Sequence, residues 1–322
     1  MKEQRGDERL LEAIKVLYSP VKAFKKIAEK PDVKGVILIL ALTLLVSAGT
    51  QYVYYSKVFV ETSLLDRTLI PTEGPPYNIT EGFTNPDEPH NIKVATTNWT
   101  NGSDTITIYG TGGAGEELKE EVTIEENNTV YYINKPFKAV TKIVFSRGRD
   151  GRNQYVILVN KDDYASLLMY YSQSLLGTIM GTLTRFAFGC GVYTVFLWVV
   201  IKVSREEVYS WVALFIAVGY AFAANLVYNL LDITLISTFS TVKLPLEVWV
   251  APTEQINQFY LEKGWFIVTQ AYQWGSFLAF NAWIVALCAI AVHFLCELKW
   301  RKAAAISVVV YVAYALLRLF II

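Results

Sequence analysis

The sequence predicts a membrane α-helical bundle of five transmembrane helices, N-terminus inside and C-terminus outside, carrying an extracellular antiparallel β-sandwich. Three observations lead there. Residues 177–201 form a run of 25 with Arg185 as its single charge, and residues 208–231 a run of 24 with none. At about 1.5 Å per residue either run covers the ~30 Å hydrocarbon core of a bilayer. The turn between them carries Lys202 and Arg205, and basic residues in short loops stay on the cytoplasmic side during insertion. Over residues 56–163 the composition shifts to Gly, Pro, Asn and Thr without an uncharged apolar run long enough to span, and 11 basic against 16 acidic residues leave a net charge of −5.

Residues 1–32 are expected to be cytoplasmic amphipathic helices. Leu10, Ile14, Leu17, Val21, Phe24 and Ala28 recur at steps of four and three, while Lys15, Lys22, Lys25, Lys26 and Lys30 fall mostly off that stripe. Pro20 interrupts the pattern behind Ser19, a residue of N-cap type, which predicts one helix over 7–18 and a second over 20–29 that Pro31 ends. A basic amphipathic segment beside a span suits contact with an anionic leaflet or a solvated cap on the bundle. The first 34 residues hold nine basic side chains and no apolar stretch leading to a small-residue cleavage site, so no cleaved signal peptide is expected.

The first transmembrane helix is predicted over 33–55, closed by an aromatic belt of Tyr52, Tyr54 and Tyr55. Residues 56–163 are predicted to be the extracellular β-sandwich domain. Short β-branched or aromatic runs at 92–95, 105–109, 122–124, 130–133, 139–145 and 154–159 supply its strands, and turn signals such as Asn101-Gly102 separate them. Pro71, Pro75, Pro76 and Pro86 mark residues 56–88 as a stalk or wrapping loop. Residues 164–322 are expected to be a four-helix transmembrane bundle. It begins with one long helix over 164–202 and contains an outer loop, 232–263, in which Pro245 and Pro252 rule out a continuous helix. A fourth span over 265–295, a basic turn with Lys299, Arg301 and Lys302, and a fifth span over 303–322 complete the chain.

Four N-x-S/T sequons, at Asn78, Asn98, Asn101 and Asn127, all fall in the segment read as extracellular and are glycosylation candidates. Gly110-Thr-Gly-Gly-Ala-Gly115 matches the glycine pattern of dinucleotide sites, but the acidic run after it would repel phosphate and leads into a strand, so a hairpin loop is expected. Among charges in the spans, Glu297 and Arg318 lie near helix ends and Asp232 at an edge, leaving Arg185 and His293 as the deeper intramembrane polar candidates. Cys190, Cys288 and Cys296 lie in apolar stretches and read as small buried residues. No CxxC, HExxH or nucleophile–base spacing occurs, so no metal site, cofactor or catalytic residue is expected. A formal charge of zero and the absence of a long basic run exclude nucleic acid as a partner.

The stretch Leu17-Tyr18-Ser19-Pro20, with Phe24 and Pro31 after it, the Gly189–Ile201 run into a short polar turn, Gly219-Tyr220, and a basic turn before an alanine-rich last helix resemble the Yip1 domain family of five-span membrane proteins. The resemblance covers roughly residues 10–55 and 170–322. It implies a cytoplasmic N-terminus, a compact bundle and no enzymatic activity; the segment after the first span is an insertion. A cysteine-free, sequon-bearing insertion rich in Glu and Lys points to a prokaryotic, archaeal surface. The expected function is a non-enzymatic scaffold of the cell membrane that displays its β-sandwich for envelope binding or self-assembly, with a transporter or channel as the alternative. Expected partners are anionic lipids at the N-terminal segment, and further copies of the chain or another envelope protein at the outer domain.

Overall fold

The structure, a computed structural model, describes residues 14–65, 70–71, 77–85, 87–97, 104–125, 130–146, 155–207, 210–250 and 253–321. The chain divides into two compact units: Met1–Tyr54, Tyr170–Phe239 and Phe266–Ile322 form a helical unit, and Tyr55–Met169 with Ser240–Trp265 a β unit.

In the helical unit, α1 (Pro20–Glu29) and α2 (Val33–Lys57) precede α3 (Tyr171–Val203), α4 (Trp211–Ala221), α5 (Ala223–Thr238), α6 (Gln270–Leu295) and α7 (Trp300–Ile321). Among the described residues five stretches are long and apolar enough to cross a membrane, α4 and α5 counting together as Trp211–Thr238. Helix α1 starts at Pro20 as expected, but Ser19 does not cap it with its side chain. Its backbone instead donates to the Lys15 carbonyl at 2.7 Å and accepts from the Ala23 N–H at 3.1 Å, running the ladder through. The buried stripe is also rotated from the expected one. Val16, Ala23, Phe24 and Ile27 pack into the helical core with Leu17 and Ala28 at its margin, while Ile14 and Val21 are exposed.

Two glycines let helices approach closely. A Cβ on Gly35 would stand 1.7 Å from the Tyr220 hydroxyl, and one on Gly219 would stand 2.5 Å from Val36 Cγ1, so α2 and α4 interlock reciprocally. The expected unbroken arm over 208–231 is interrupted between α4 and α5 at Phe222. There the Phe222 ring fills the space over Gly189 and meets Phe186 and Tyr193 edge-on. The break exposes no orphan donor at its centre: Phe222 N–H donates to Val218 O at 3.1 Å and Asn225 N–H to Phe222 O at 3.0 Å.

Other boundaries move for local reasons. The long helix expected from residue 164 begins at Tyr171, because Tyr164 and Ala165 are still paired as strand. Helix α5 runs on to Thr238 through β-branched residues. Their hydroxyls bond back along the helix, Thr234 to Leu230 O and Thr238 to Leu235 O, both at 2.7 Å. Helix α6 starts at Gln270 rather than 265, where the Thr269 side chain caps the Tyr272 N–H.

The β unit buries one apolar core between two sheets. Its strands are β1 (Val58–Ser63), β2 (Ile70–Pro71), β3 (Tyr77–Ile79), β4 (His90–Thr97), β5 (Asp104–Thr111), β6 (Glu117–Ile124), β7 (Val130–Phe137), β8 (Ala139–Phe145), β9 (Tyr155–Ser166) and β10 (Val242–Leu244). One sheet runs β10-β1-β9-β4-β7 with β2 on β9, the other β3-β8-β5-β6. Ile92, Val94 and Leu158 face Ile106, Ile108, Ile143 and Phe145 across the core. All six predicted strands are present. The expected stalk over 56–88 is instead part of the fold: β1 lies between β9 and β10, and Leu64 and Leu65 are buried in the core.

The outer loop expected over 232–263 is likewise corrected. Ser240–Trp265 belongs to the β unit, and β10 pairs with β1 in parallel, against the purely antiparallel expectation. Short helices Leu246–Trp249 and Thr253–Glu262 follow. Trp265 then locks the return, fully buried with its indole N–H on Ser240 O at 3.1 Å. The glycine-rich run closes the β5–β6 hairpin as expected, with Gly112 N–H on Glu116 O at 2.8 Å and Gly115 at φ +86°. A Cβ on Gly110 would stand 2.1 Å from the Ala139 carbonyl oxygen, so the strand itself requires that glycine.

Candidate functional site

Strand β4 is central, and residues 92–96 are buried on both of its faces. Lys93 is therefore out of water, and its ammonium is met from two directions. It bonds to Glu61 of β1 and to both oxygens of Glu247, at 3.0 and 3.1 Å. The Glu61 carboxylate is buried too and accepts from the Asp162 N–H at 3.3 Å and the Leu246 N–H at 3.4 Å. Desolvation works against the Lys93 charge, but the hydrogen bonds and charges of Glu61 and Glu247 outweigh it and hold the pKa above the ordinary lysine value. Tyr164 beside them is pushed up to about 12, first by burial and then by the neighbouring carboxylates. A buried pair of this kind is costly to break: removing one partner forfeits about 3–5 kcal/mol.

A second polar group lies on the other side of the same sheet, where Asn160 of β9 is in register with Ile92 of β4. His90 Nδ1–H donates to Glu88 O at 3.3 Å. Asn160 Nδ2 donates to Thr84 O at 2.9 Å and to Thr62 Oγ1 at 3.2 Å, and the Thr62 hydroxyl donates to Asp163 Oδ2 at 2.5 Å. His90 Nε2 and Asn160 Oδ1 are both buried and have no well-formed hydrogen bond among the described residues. Burial pushes the His90 pKa below the ordinary histidine value, against opposing contributions from Glu88, Asn160 and Asp163. Register shifts in the β1–β9 and β4–β7 pairings flank the cluster, and Asp162 sits at φ +64°. Bulges of this kind turn side chains out of the pleat, and a left-handed non-glycine residue is uncommon.

The residues singled out by sequence do not converge. Asn78 is exposed on β3; Asn98, Asn101 and Asn127 lie outside the described residues. Of the family-motif positions, Pro20 begins α1, Leu17 packs at the margin of the helical core, Tyr18 is exposed, and Gly219 and Tyr220 form the α2–α4 interlock. Arg185 is exposed on α3. His293 closes the turn after α6, donating from Nδ1 to Leu298 O and stacking on Trp300 at 3.9 Å. Asp232 accepts from the Tyr272 hydroxyl at 3.0 Å. Cys190 and Cys288 are buried, Cys296 is half-buried, and all three are free thiols.

The helical unit contains an apolar and a more polar cavity. One, of about 480 Å³, is lined by apolar residues including Phe188, Val192, Trp211 and Leu317. The other, of about 670 Å³, lies between α1 and the end of α6 and includes Lys25, Glu29, His293 and Glu297. Among the described residues no three His, Cys, Asp or Glu side chains converge as metal ligands.

Sequence reasoning missed Glu61, Lys93, Glu247, His90, Asn160 and Asp163. One signal was available: Ile92-Lys93-Val94-Ala95 sets a lysine in a run apolar on both sides, which demands a buried counter-charge. No family model, no curated protein and no solved structure matches this chain.

Proposed function

We propose that the chain is an integral membrane scaffold, with a Yip1-like bundle anchored in the bilayer and the β unit outside, acting by binding and not by turnover. The observation that carries this reading is the distribution of polar chemistry. The buried charges collect in the β unit, around Lys93 and Glu61, while in the helical unit the cavity at Phe188 and Trp211 is lined by apolar side chains and the charged one lies by α1 and the turn after α6. Basic residues in the two short turns, Lys202 and Arg205, then Lys299, Arg301 and Lys302, favour a cytoplasmic position for both. Helix α1 has its apolar stripe packed on the helical core and its lysines, Lys22, Lys25, Lys26 and Lys30, exposed. Anionic lipid therefore meets it through charge, at about 1 kcal/mol per lysine. The outer partner is a further copy of the chain or another envelope protein, and the exposed sequon at Asn78 is the glycan acceptor.

Reporter fusions after Lys30 and Ser204 are expected inside, and one within the β unit outside. Vesicles carrying the purified protein should hold a proton or potassium gradient as well as protein-free vesicles do. Transport by the bundle is the second reading, favoured by Asp232, the one acidic side chain among the described residues of the five apolar stretches. Gradient loss that vanishes in Asp232→Asn would replace the scaffold with a transporter.

A further inference from the structure

We propose that two copies of the chain pair edge to edge through β6, antiparallel about a two-fold axis at Glu120. The inference deepens the self-assembly reading above and rests on it only in taking a second copy as the partner.

Among the described residues the two sheets end on β10, β7, β3 and β6. Strands β10 and β3 are three residues long, and β7 contains Pro136, which has no N–H to offer a new neighbour. Strand β6 has eight residues, none of them proline or glycine, and pairs with β5 alone. That pairing decides which of its backbone groups are free. Gly112 N–H donates to Glu116 O at 2.8 Å, and hydrogen-bonded pairs recur at every second residue of an antiparallel ladder. The register sets Gly110 with Leu118, Ile108 with Glu120 and Ile106 with Val122, so the backbone of Leu118, Glu120 and Val122 turns toward β5. The other side of β5 agrees, since the Thr105 and Thr111 carbonyls accept from the Ser146 and Lys138 N–H groups at 3.0 and 2.7 Å. Glu117, Lys119, Glu121 and Thr123 are left with N–H and C=O directed out of the sheet.

A strand laid on that edge needs outward groups at the same alternate positions, and a second β6 supplies them. With the axis at Glu120, Lys119 stands opposite the partner's Glu121 and Glu121 opposite the partner's Lys119, both as hydrogen-bonded pairs. On the other face Leu118 falls opposite the partner's Val122. Both residues lie at the margin of the core, so the joint continues the core from one copy into the next. The two Glu120 side chains meet at the axis, each already bound to Lys135 of its own β7. Charges on an edge strand ordinarily discourage pairing. Here the order of signs reverses that: Lys119 and Glu121, more than half exposed, hold each other at 2.6 Å along the strand, and the second copy sets the same two charges in alternation beside them. A slide of two residues either way brings Lys119 to the partner's Lys119 or Glu121 to the partner's Glu121, and like charges directly opposite are destabilising.

The test follows the mass of the full chain in detergent by light scattering as concentration is raised, and a dimer is expected. Lys119→Glu and Glu121→Lys, each checked for an unchanged circular dichroism spectrum, should each weaken it about 10-fold, because each sets like charges opposite at two places. An equal mixture of the two variants should restore it. The register is read with cysteines in a Cys296→Ser background, since Cys190 and Cys288 are buried. Glu120→Cys should oxidise to a disulfide-linked dimer, its two Cα atoms lying about 4.5 Å apart, whereas Lys119→Cys and Glu121→Cys should not. A chain that is monomeric at every concentration would overturn the pairing. A dimer indifferent to both charge reversals, or linked through 119 or 121 and not 120, would overturn this edge or its register and leave self-assembly through another surface standing. The fusion and gradient measurements judge the scaffold reading separately.

Discussion

The helical unit and the β unit solve the same problem, a buried polar side chain, in opposite ways. In the helices the buried threonines are satisfied locally, although Tyr193 and Asn229 also reach a second helix, at Ser307 O and Ser47 Oγ. Thr43 bonds to Ile39 O at 2.7 Å, Thr194 to Cys190 O at 2.6 Å and Asn281 to Phe277 O at 2.6 Å, each one turn back along its own helix. In the β unit it is remote: Glu61 reaches Lys93 across 32 residues, Thr62 meets Asn160 across 98, and Lys93 meets Glu247 across 154. A helix brings a carbonyl with a second lone pair to spare within reach of the side chain at i+4, whereas a strand turns each side chain away from its own backbone partners. Chemistry that needs several convergent groups therefore collects in the sheet.

That contrast makes Lys93 the most sensitive position. Lys93→Met strands Glu61 beside Glu247 and should cost about 3–5 kcal/mol, whereas Lys93→Met with Glu61→Leu should recover much of it. Thermal melts of the full chain in detergent would measure both, with Thr194→Val as the helical counterpart, expected to cost about 1 kcal/mol. If Thr194→Val proved as damaging as Lys93→Met, the division between local and remote would fail.

Overpacking should be blind to that division. Gly110→Ala drives a methyl group toward the Ala139 carbonyl, and Gly219→Ala drives one into Val36. Each is expected to cost about 1–3 kcal/mol. Stability against pH should be selective again. His90 has a folded pKa below 6.5, so the neutral form is the one folding favours. Its contribution is present above that value and is lost as pH falls through the folded pKa. The thermal midpoint should decline on acidification, and His90→Gln should flatten that decline. The smallest effect belongs to Arg185→Leu: the side chain is exposed, and melting should stay within about 0.5 kcal/mol of the parent.

The same contrast explains what could be read from the sequence. The five apolar stretches and the six strands over 90–166 were legible because composition and alternation are local properties. Strand β1 was not, because Val58–Ser63 follows α2 without a break and becomes a strand only through β9 and β10. Helix α5 ran past its expected end because hydroxyls at 234 and 238 bonded backward, an option that propensity alone does not weigh. The two polar groups on opposite sides of the sheet were illegible because their members are far apart in sequence. Glu61, His90, Lys93, Asn160 and Glu247 come from four separate stretches, and only the sheet brings them together.

The division of the β unit into two stretches of chain has a consequence for biosynthesis. Its first stretch ends at Met169, and the second begins at Ser240, after α3, α4 and α5 have been made. At about 5–20 residues per second, the roughly 80 residues from the end of β9 to Glu247 take about 4–16 s to synthesise. Through that interval β1 has an unpaired edge, and Lys93 has only one of its two carboxylates. The nascent chain thus passes through a half-built sheet whose open edge is a template for another strand. Closure waits on the arrival of β10, which ties completion of this domain to completion of the third apolar stretch.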